Sequence, residues 1–130
     1  MTQALRDGGV RVTRQREALV RVLTESADHP DATELHRRAQ LIDNTVSLAT
    51  VYRTLTVLER EGVIHRHSFE NGSARFEVAA PGHHDHILDL DSGEIIEFHS
   101  EKIEELQRRI AAEMGYEIVH HRLELYCRKV

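Results

Sequence analysis

The chain of 130 residues is 40% hydrophobic, enough for one ordinary domain or two small ones whose thin cores need help from a metal or a partner. Its single cysteine, Cys127, excludes an internal disulfide and a structural four-cysteine zinc site, and it points to a reducing cytoplasm. An apolar run of about eighteen residues and an apolar leader are both missing, so neither membrane insertion nor export is expected, and a net charge of −5 argues against a uniformly basic nucleic-acid binder.

That charge is uneven. Residues 1–80 carry 11 Arg against 11 Asp and Glu, whereas residues 81–130 carry 6 Lys and Arg against 11 acidic residues. Near the N-terminus, Arg6, Arg11, Arg14, Arg16 and Arg21 outweigh Asp7 and Glu17, leaving a basic patch that DNA can approach. Histidine is skewed too: His83, His84, His86, His99, His120 and His121 lie in the last fifty residues, beside many carboxylates, as metal ligands would.

In chain order, residues 13–24 read as a helix with Thr13 as N-cap and Ala18, Leu19, Val22 and Leu23 on one face. A second helix is predicted over 32–42, where Asp31 and Glu34 have capping-box spacing and Ala32, Leu35, Ala39 and Ile42 recur at helical intervals. The third starts at Ser47 and runs to Gly62, with Leu48, Val51, Leu55 and Leu58 as its buried stripe and Thr50, Arg53, Thr54 and Val57 on the other face, Tyr52 at the margin. Residues 63–78 hold two β-prone runs about Asn71-Gly72, a pair suited to a two-residue type I′ turn. Three helices and a hairpin make a winged helix-turn-helix whose third helix can enter a major groove.

Ala79-Ala80-Pro81-Gly82 interrupts regular structure and sets the expected boundaries: a DNA-binding domain over 1–79, a hinge at 80–82, and a dimerisation and metal-binding domain over 83–130. In the second lobe, strands are predicted over 86–90 and 94–98 about Asp91-Ser92-Gly93. A helix follows over 101–114 with Ile103, Leu106, Ile110 and Met114 on one face, then a last strand over 117–127. The fold class is α+β, and the β-β-α-β lobe is too small to bury its own sheet and helix, so a homodimer is expected, with larger assemblies left open.

Alternation along an extended segment places His83 and Asp85 on one side and His84 and His86 on the other, so two metal sites are implied. One gathers His83 and Asp85 with Glu104 and His121. The other gathers His86 and Glu97 with ligands from the first lobe. His99, His120, Glu101, Glu105 and Glu113 read as solvated side chains.

The blocks ATVYRTL, ARFE, HHDH, IIEF and HRLELY, in this order from residue 49 to residue 126, resemble the ferric uptake regulator family of bacterial metal-dependent repressors. The resemblance implies a sensing site at the lobe interface formed by His29, Glu77, His86 and Glu97, and a neighbouring site formed by His83, Asp85, Glu104 and His121. It further implies that Arg11 reaches the minor groove, that Tyr52 and Arg53 read the major groove, and that Thr50 and Thr54 support phosphate contacts. Many relatives carry CxxC pairs for a structural zinc; Asp89 and Ser92 hold the first pair's positions here, as in α-proteobacterial members that respond to iron or manganese. The implied function is repression of metal-uptake genes by a cytoplasmic, non-enzymatic homodimer that binds A·T-rich palindromic operator DNA when loaded with Fe²⁺ or Mn²⁺, Zn²⁺ fitting the same ligands in vitro. Two other readings remain open: a metallohydrolase using His84-Asp85-His86, whose H-x-H-x-D-H spacing lacks its first His, and a DNA-binding module with a purely structural metal.

Overall fold

The computed structural model describes residues 1–70, 72–79 and 84–130, so Asn71 of the expected turn, the expected hinge at 80–82 and His83 lie outside the described residues. The chain forms two compact units, Met1–Ala80 and Pro81–Val130.

The first unit runs α1 (Thr2–Asp7), α2 (Arg14–Glu25), α3 (Ala32–Gln40), α4 (Leu48–Arg60), β1 (Ile64–His67) and β2 (Arg75–Val78). Each of its three longer helices starts where a short polar side chain satisfies an orphan amide, an interaction typically worth ~1 kcal/mol. The Arg16 N–H donates to Thr13 Oγ1 at 3.3 Å, the Glu34 N–H to Asp31 Oδ1 at 2.8 Å, and the Thr50 N–H to Ser47 Oγ at 3.1 Å. At the end of α4, Gly62 takes a φ of +78° and the Val63 N–H reaches back to the Leu58 carbonyl at 3.1 Å, the left-handed close that glycine accepts without strain. Leu19, Leu23, Leu35, Val51, Leu55 and Leu58 meet Ile64 and Phe76 in one core.

Helix α1 is absent from the sequence-based expectation. Six residues are too few to hold a helix by propensity, and α1 forms by sinking Leu5, which is fully buried, into that core. Gly8 ends it so close to α4 that an added Cβ would stand 2.5 Å from Val57 Cγ1. Two residues expected in buried stripes are outside. Ile42 lies beyond the end of α3, where helical periodicity no longer applies, and Leu48 opens α4 with its side chain leaning back off the end of the core. Glu34 does not close a capping box; its carboxylate goes to Arg37 and Arg38.

β1 and β2 form an antiparallel hairpin whose pairs, Ile64↔Val78 through His67↔Arg75, centre on position 71. A two-residue turn at 71–72 would shift this register by one. β1 ends at His67 and β2 begins at Arg75, and between them Phe69 is buried.

In the second unit, β3 (Asp85–Asp89), β4 (Ile95–Phe98), α5 (Glu101–Glu113) and β5 (Glu124–Cys127) form a three-stranded sheet in the order β4-β3-β5, antiparallel on one side of β3 and parallel on the other. The expected strand over 117–127 shrinks to its last four residues, Glu124–Cys127, which pair with His86–Asp89 of β3. His121 therefore sits on an irregular segment. Helix α5 buries no residue within one chain, and Leu106, Ile110 and Met114 stay open to solvent. Among the described residues, no helix is long and apolar enough to cross a membrane.

One ionic cluster organises the entry to α3. Arg38 donates to Glu34 Oε1 at 2.9 Å, to Ser26 Oγ at 3.2 Å and to both oxygens of Asp28 at 2.9 and 2.7 Å, fastening the segment that leads to His29. Hydrogen bonds from Arg37 and Arg38 hold the Glu34 carboxyl down at about 2. A value depressed on folding contributes stability above the unfolded carboxylate range near ~4.3, and that contribution is lost as pH falls towards 2. The melting temperature of Glu34→Gln should accordingly fall less steeply than wild type between those limits; equal slopes would remove Glu34 from the acid response.

Candidate metal centres and nucleic-acid interface

On α4 the buried positions are Val51, Thr54, Leu55 and Leu58, an i, i+3, i+4, i+7 set, together with Val57, which was expected on the other face, so the solvent face carries Ala49, Tyr52, Arg53 and Thr56. Arg11, Tyr52 and Arg53 are exposed, and Thr50 is half-buried with its Oγ1 accepting from Ser47 Oγ at 2.9 Å. Thr54 corrects the expectation of a phosphate contact: it is fully buried, and its hydroxyl donates to the Thr50 carbonyl at 2.7 Å. Reading the helical phase from Val51 instead of from Leu48 would have placed Thr54 inside and Thr56 outside. Arg16 donates from Nη1 to the Arg11 carbonyl at 2.8 Å, tying the arm that carries Arg11 to the first turn of α2. Val10, Arg16, Tyr52 and Arg53 line one shallow recess, so arm and helix face form a continuous surface.

The first unit also positions a carboxylate between imidazoles. The 29–31 segment lies against β2, with the Phe76 N–H donating to the Pro30 carbonyl at 3.0 Å and Ser73 Oγ to Asp31 Oδ2 at 2.9 Å. That pairing brings His29 Nε2 to 2.8 Å from Glu77 Oε2, with both side chains nearly closed to solvent. The other oxygen of Glu77 meets His67 Nε2 at 2.7 Å. No sequence expectation included His67; its i+2 spacing from His65 in a strand was the available signal.

In the second unit, alternation along β3 separates two groups. Asp85, Glu104 and His121 bring one donor atom each to within 4.8 Å of one another. His121 Nε2 stands 3.4 Å from Asp85 Oδ1 and 3.8 Å from Glu104 Oε1. Donor atoms bound at ~2.1 Å around a tetrahedral ion lie ~3.4 Å apart, so the spacing and the hard nitrogen and oxygen donors fit a divalent transition metal. On the opposite side, the His84 and His86 rings meet edge-on at 5.3 Å, His84 Nε2 lies 3.4 Å from Glu97 Oε1, and His86 pairs in register with Glu97. His84 is thus a further imidazole at this carboxylate, legible from strand alternation though expected as a ligand only in the metallohydrolase reading. The His84-Asp85-His86 run does not converge on one centre, which removes the geometric basis for the metallohydrolase reading. His99 pairs with Glu101 at 2.8 Å at the surface, and His120 is exposed.

Asp89 and Ser92 sit in one turn. Asp89 Oδ1 accepts the Asp91 and Ser92 N–H groups at 2.9 and 3.3 Å, and these bonds hold its carboxyl below the usual carboxylate range.

A winged-helix unit with an open Tyr52/Arg53 face, joined in one chain to a small sheet that gathers imidazoles and carboxylates, defines a metal-responsive transcription regulator. Residues 7–126 match the model of the ferric uptake regulator family, and the chain belongs to that family. It is 58% identical over 128 residues to the ferric uptake regulation protein of Brucella abortus biovar 1, covering 98% of this chain and 91% of that protein. Among solved structures it resembles a zinc-bound manganese uptake regulator, 46% identical with a TM-score of 0.84, covering 98% and 97% of the two chains. The Vibrio cholerae ferric uptake regulator, 39% identical, also superposes with a TM-score of 0.84, covering 98% of each chain.

If the Asp89 turn carries the structural role of an absent zinc, Asp89→Ala should lower the melting temperature of the metal-free protein while Asp89→Asn, which keeps the acceptor, lowers it less. Calorimetry showing the two variants alike and unshifted would contradict this.

Proposed function

We propose that the chain is a cytoplasmic homodimeric repressor of metal-uptake genes, and that Fe²⁺ or Mn²⁺ bound by His29 and Glu77 of the first unit together with His86 and Glu97 of the second converts it to the operator-binding form. His83, Asp85, Glu104 and His121 hold a second ion within the dimerisation unit. The observation that carries the reading is the buried Asp85–Glu104–His121 cluster, a cation-shaped set of donors in the same chain as an exposed recognition face. It is supported by the half-sites of each unit, both of which pair imidazole with carboxylate.

An ion shared by two units supplies a crosslink that restrains their relative orientation, and only that restraint needs to differ between active and inactive forms. Imidazole and carboxylate donors without thiolate suit Fe²⁺ and Mn²⁺, although Zn²⁺ binds such sets more tightly at equal free concentration, so cellular supply contributes to selectivity. Tyr52 and Arg53 read base edges, Thr50 supports a backbone contact, and Arg11 enters the minor groove of A·T-rich palindromes, where a narrow groove attracts guanidinium. The apolar face of α5, with Leu106, Ile110 and Met114, is covered by the second copy.

Anisotropy titrations of a labelled A·T-rich operator, with Mn²⁺ and with anaerobic Fe²⁺, test this. Wild type should bind only with metal and release reversibly on EDTA. Arg53→Ala should weaken binding by ~1–3 kcal/mol, roughly 5- to 150-fold. Thr54→Val, inside the core, should stay within about twofold. His86→Ala should lose the metal response, and Ile110→Glu should run as a monomer and bind poorly. Metal-independent binding by wild type, or a full metal response in His86→Ala, would overturn the proposal.

A further inference from the structure

We propose that His67 is a positioning residue of the sensing site: its hydrogen bond to one oxygen of Glu77 fixes the other oxygen as the single one offered beside His29. This rests on the reading above that His29 and Glu77 hold the ion. The geometry is specific. Glu77 Oε1 lies 2.7 Å from His67 Nε2, and Glu77 Oε2 lies 2.8 Å from His29 Nε2. A carboxylate only accepts, so His67 Nε2 carries the proton in this bond and its tautomer is set. Glu77 and His67 side chains are 10% and 17% exposed, so water competes weakly for either oxygen.

A carboxylate free to rotate can take a metal through both oxygens, raising the coordination number and loosening the angle at the ion. Holding Oε1 with an N–H donor makes Glu77 a one-oxygen ligand with a fixed plane, the kind of outer support that typically governs metal affinity by ~10- to 100-fold. The support is itself braced. The His67 ring stacks on Phe69 with centroids 5.7 Å apart and planes 19° from parallel, and Phe69 is buried in the β1–β2 connection. His67 closes β1 opposite Arg75, while Arg75 Nη1 donates to the His29 carbonyl at 3.5 Å. The hairpin that forms the wing therefore carries both the carboxylate and its donor.

Co²⁺ serves as the probe, because its ligand-field absorption is stronger in four-coordinate than in five- or six-coordinate sites. The part of the spectrum that disappears in His29→Ala reports the sensing site. In His67→Phe, which keeps the stacked ring but not the donor, that part should weaken and the Co²⁺ affinity behind it should fall ~10- to 100-fold. His67→Gln, whose amide N–H reaches the same oxygen, should recover most of both. His67→Asn, too short to reach, should match His67→Phe and serves in its place if the phenylalanine variant does not fold. A purely packing role predicts a lower melting temperature with an unchanged band, and that result, or wild-type affinity in both His67→Phe and His67→Asn, overturns the proposal. A His29→Ala spectrum identical to wild type would instead remove the sensing-site reading, and this inference with it.

Discussion

A carboxylate enters a protein interior only if something cationic or hydrogen-bonding meets it there, since desolvating an unpaired charge costs several kcal/mol. Asp85 has no accessible side-chain surface, and Glu77 and Glu104 have little, yet each stands beside an imidazole whose nitrogen can give a proton or a lone pair. That ambivalence is the useful property. A protonated imidazole or a bound divalent ion can answer the same negative charge, so these groups suit a divalent ion without a cysteine cage. In the loop between β3 and β4, the Asp89 carboxylate is met by two backbone amides.

The DNA-facing half obeys a separate constraint, the rigidity of the recognition surface. Side-chain caps at Thr13, Asp31 and Ser47 set where the three longer helices begin, and the His36 ring and Gln40 amide both reach the Val46 carbonyl to hold the turn before α4. Arg16 fixes the arm through a backbone oxygen, so the Arg11 side chain remains uncommitted to that contact. Positioning by backbone and reading by side chain is the division of labour that groove recognition requires.

Much of this was legible in residue order. Caps followed by apolar residues at helical spacing locate α2, α3 and α4 to within a residue or two, and the β-β-α-β order of the second unit follows from period-two runs broken by Asp91-Ser92-Gly93. What was not legible depends on tertiary context. Leu5 makes a helix of six residues only because a core is waiting for it. The hairpin register lies one residue away from what a two-residue Asn-Gly turn would give, which turn propensity alone does not show. Thr54 is polar in a list and buried in space, its hydroxyl absorbed by the helix backbone. Alternating residues at 117–123 imitate a strand, but only Glu124–Cys127 pair with β3. His67 becomes informative only once the carboxylate beside it is known, and His84, already part of the histidine run, is tied to Glu97 only by the fold.

In the proposed mechanism one ion is shared between ligands that lie far apart in the chain, and equilibrium Mn²⁺ titration of His29→Ala, His86→Ala and the double variant tests this most directly. Each single substitution should remove the same ion from the wild-type stoichiometry, and the double variant should lose nothing more. Two different ions lost by the two single variants, and both lost together in the double variant, would contradict it.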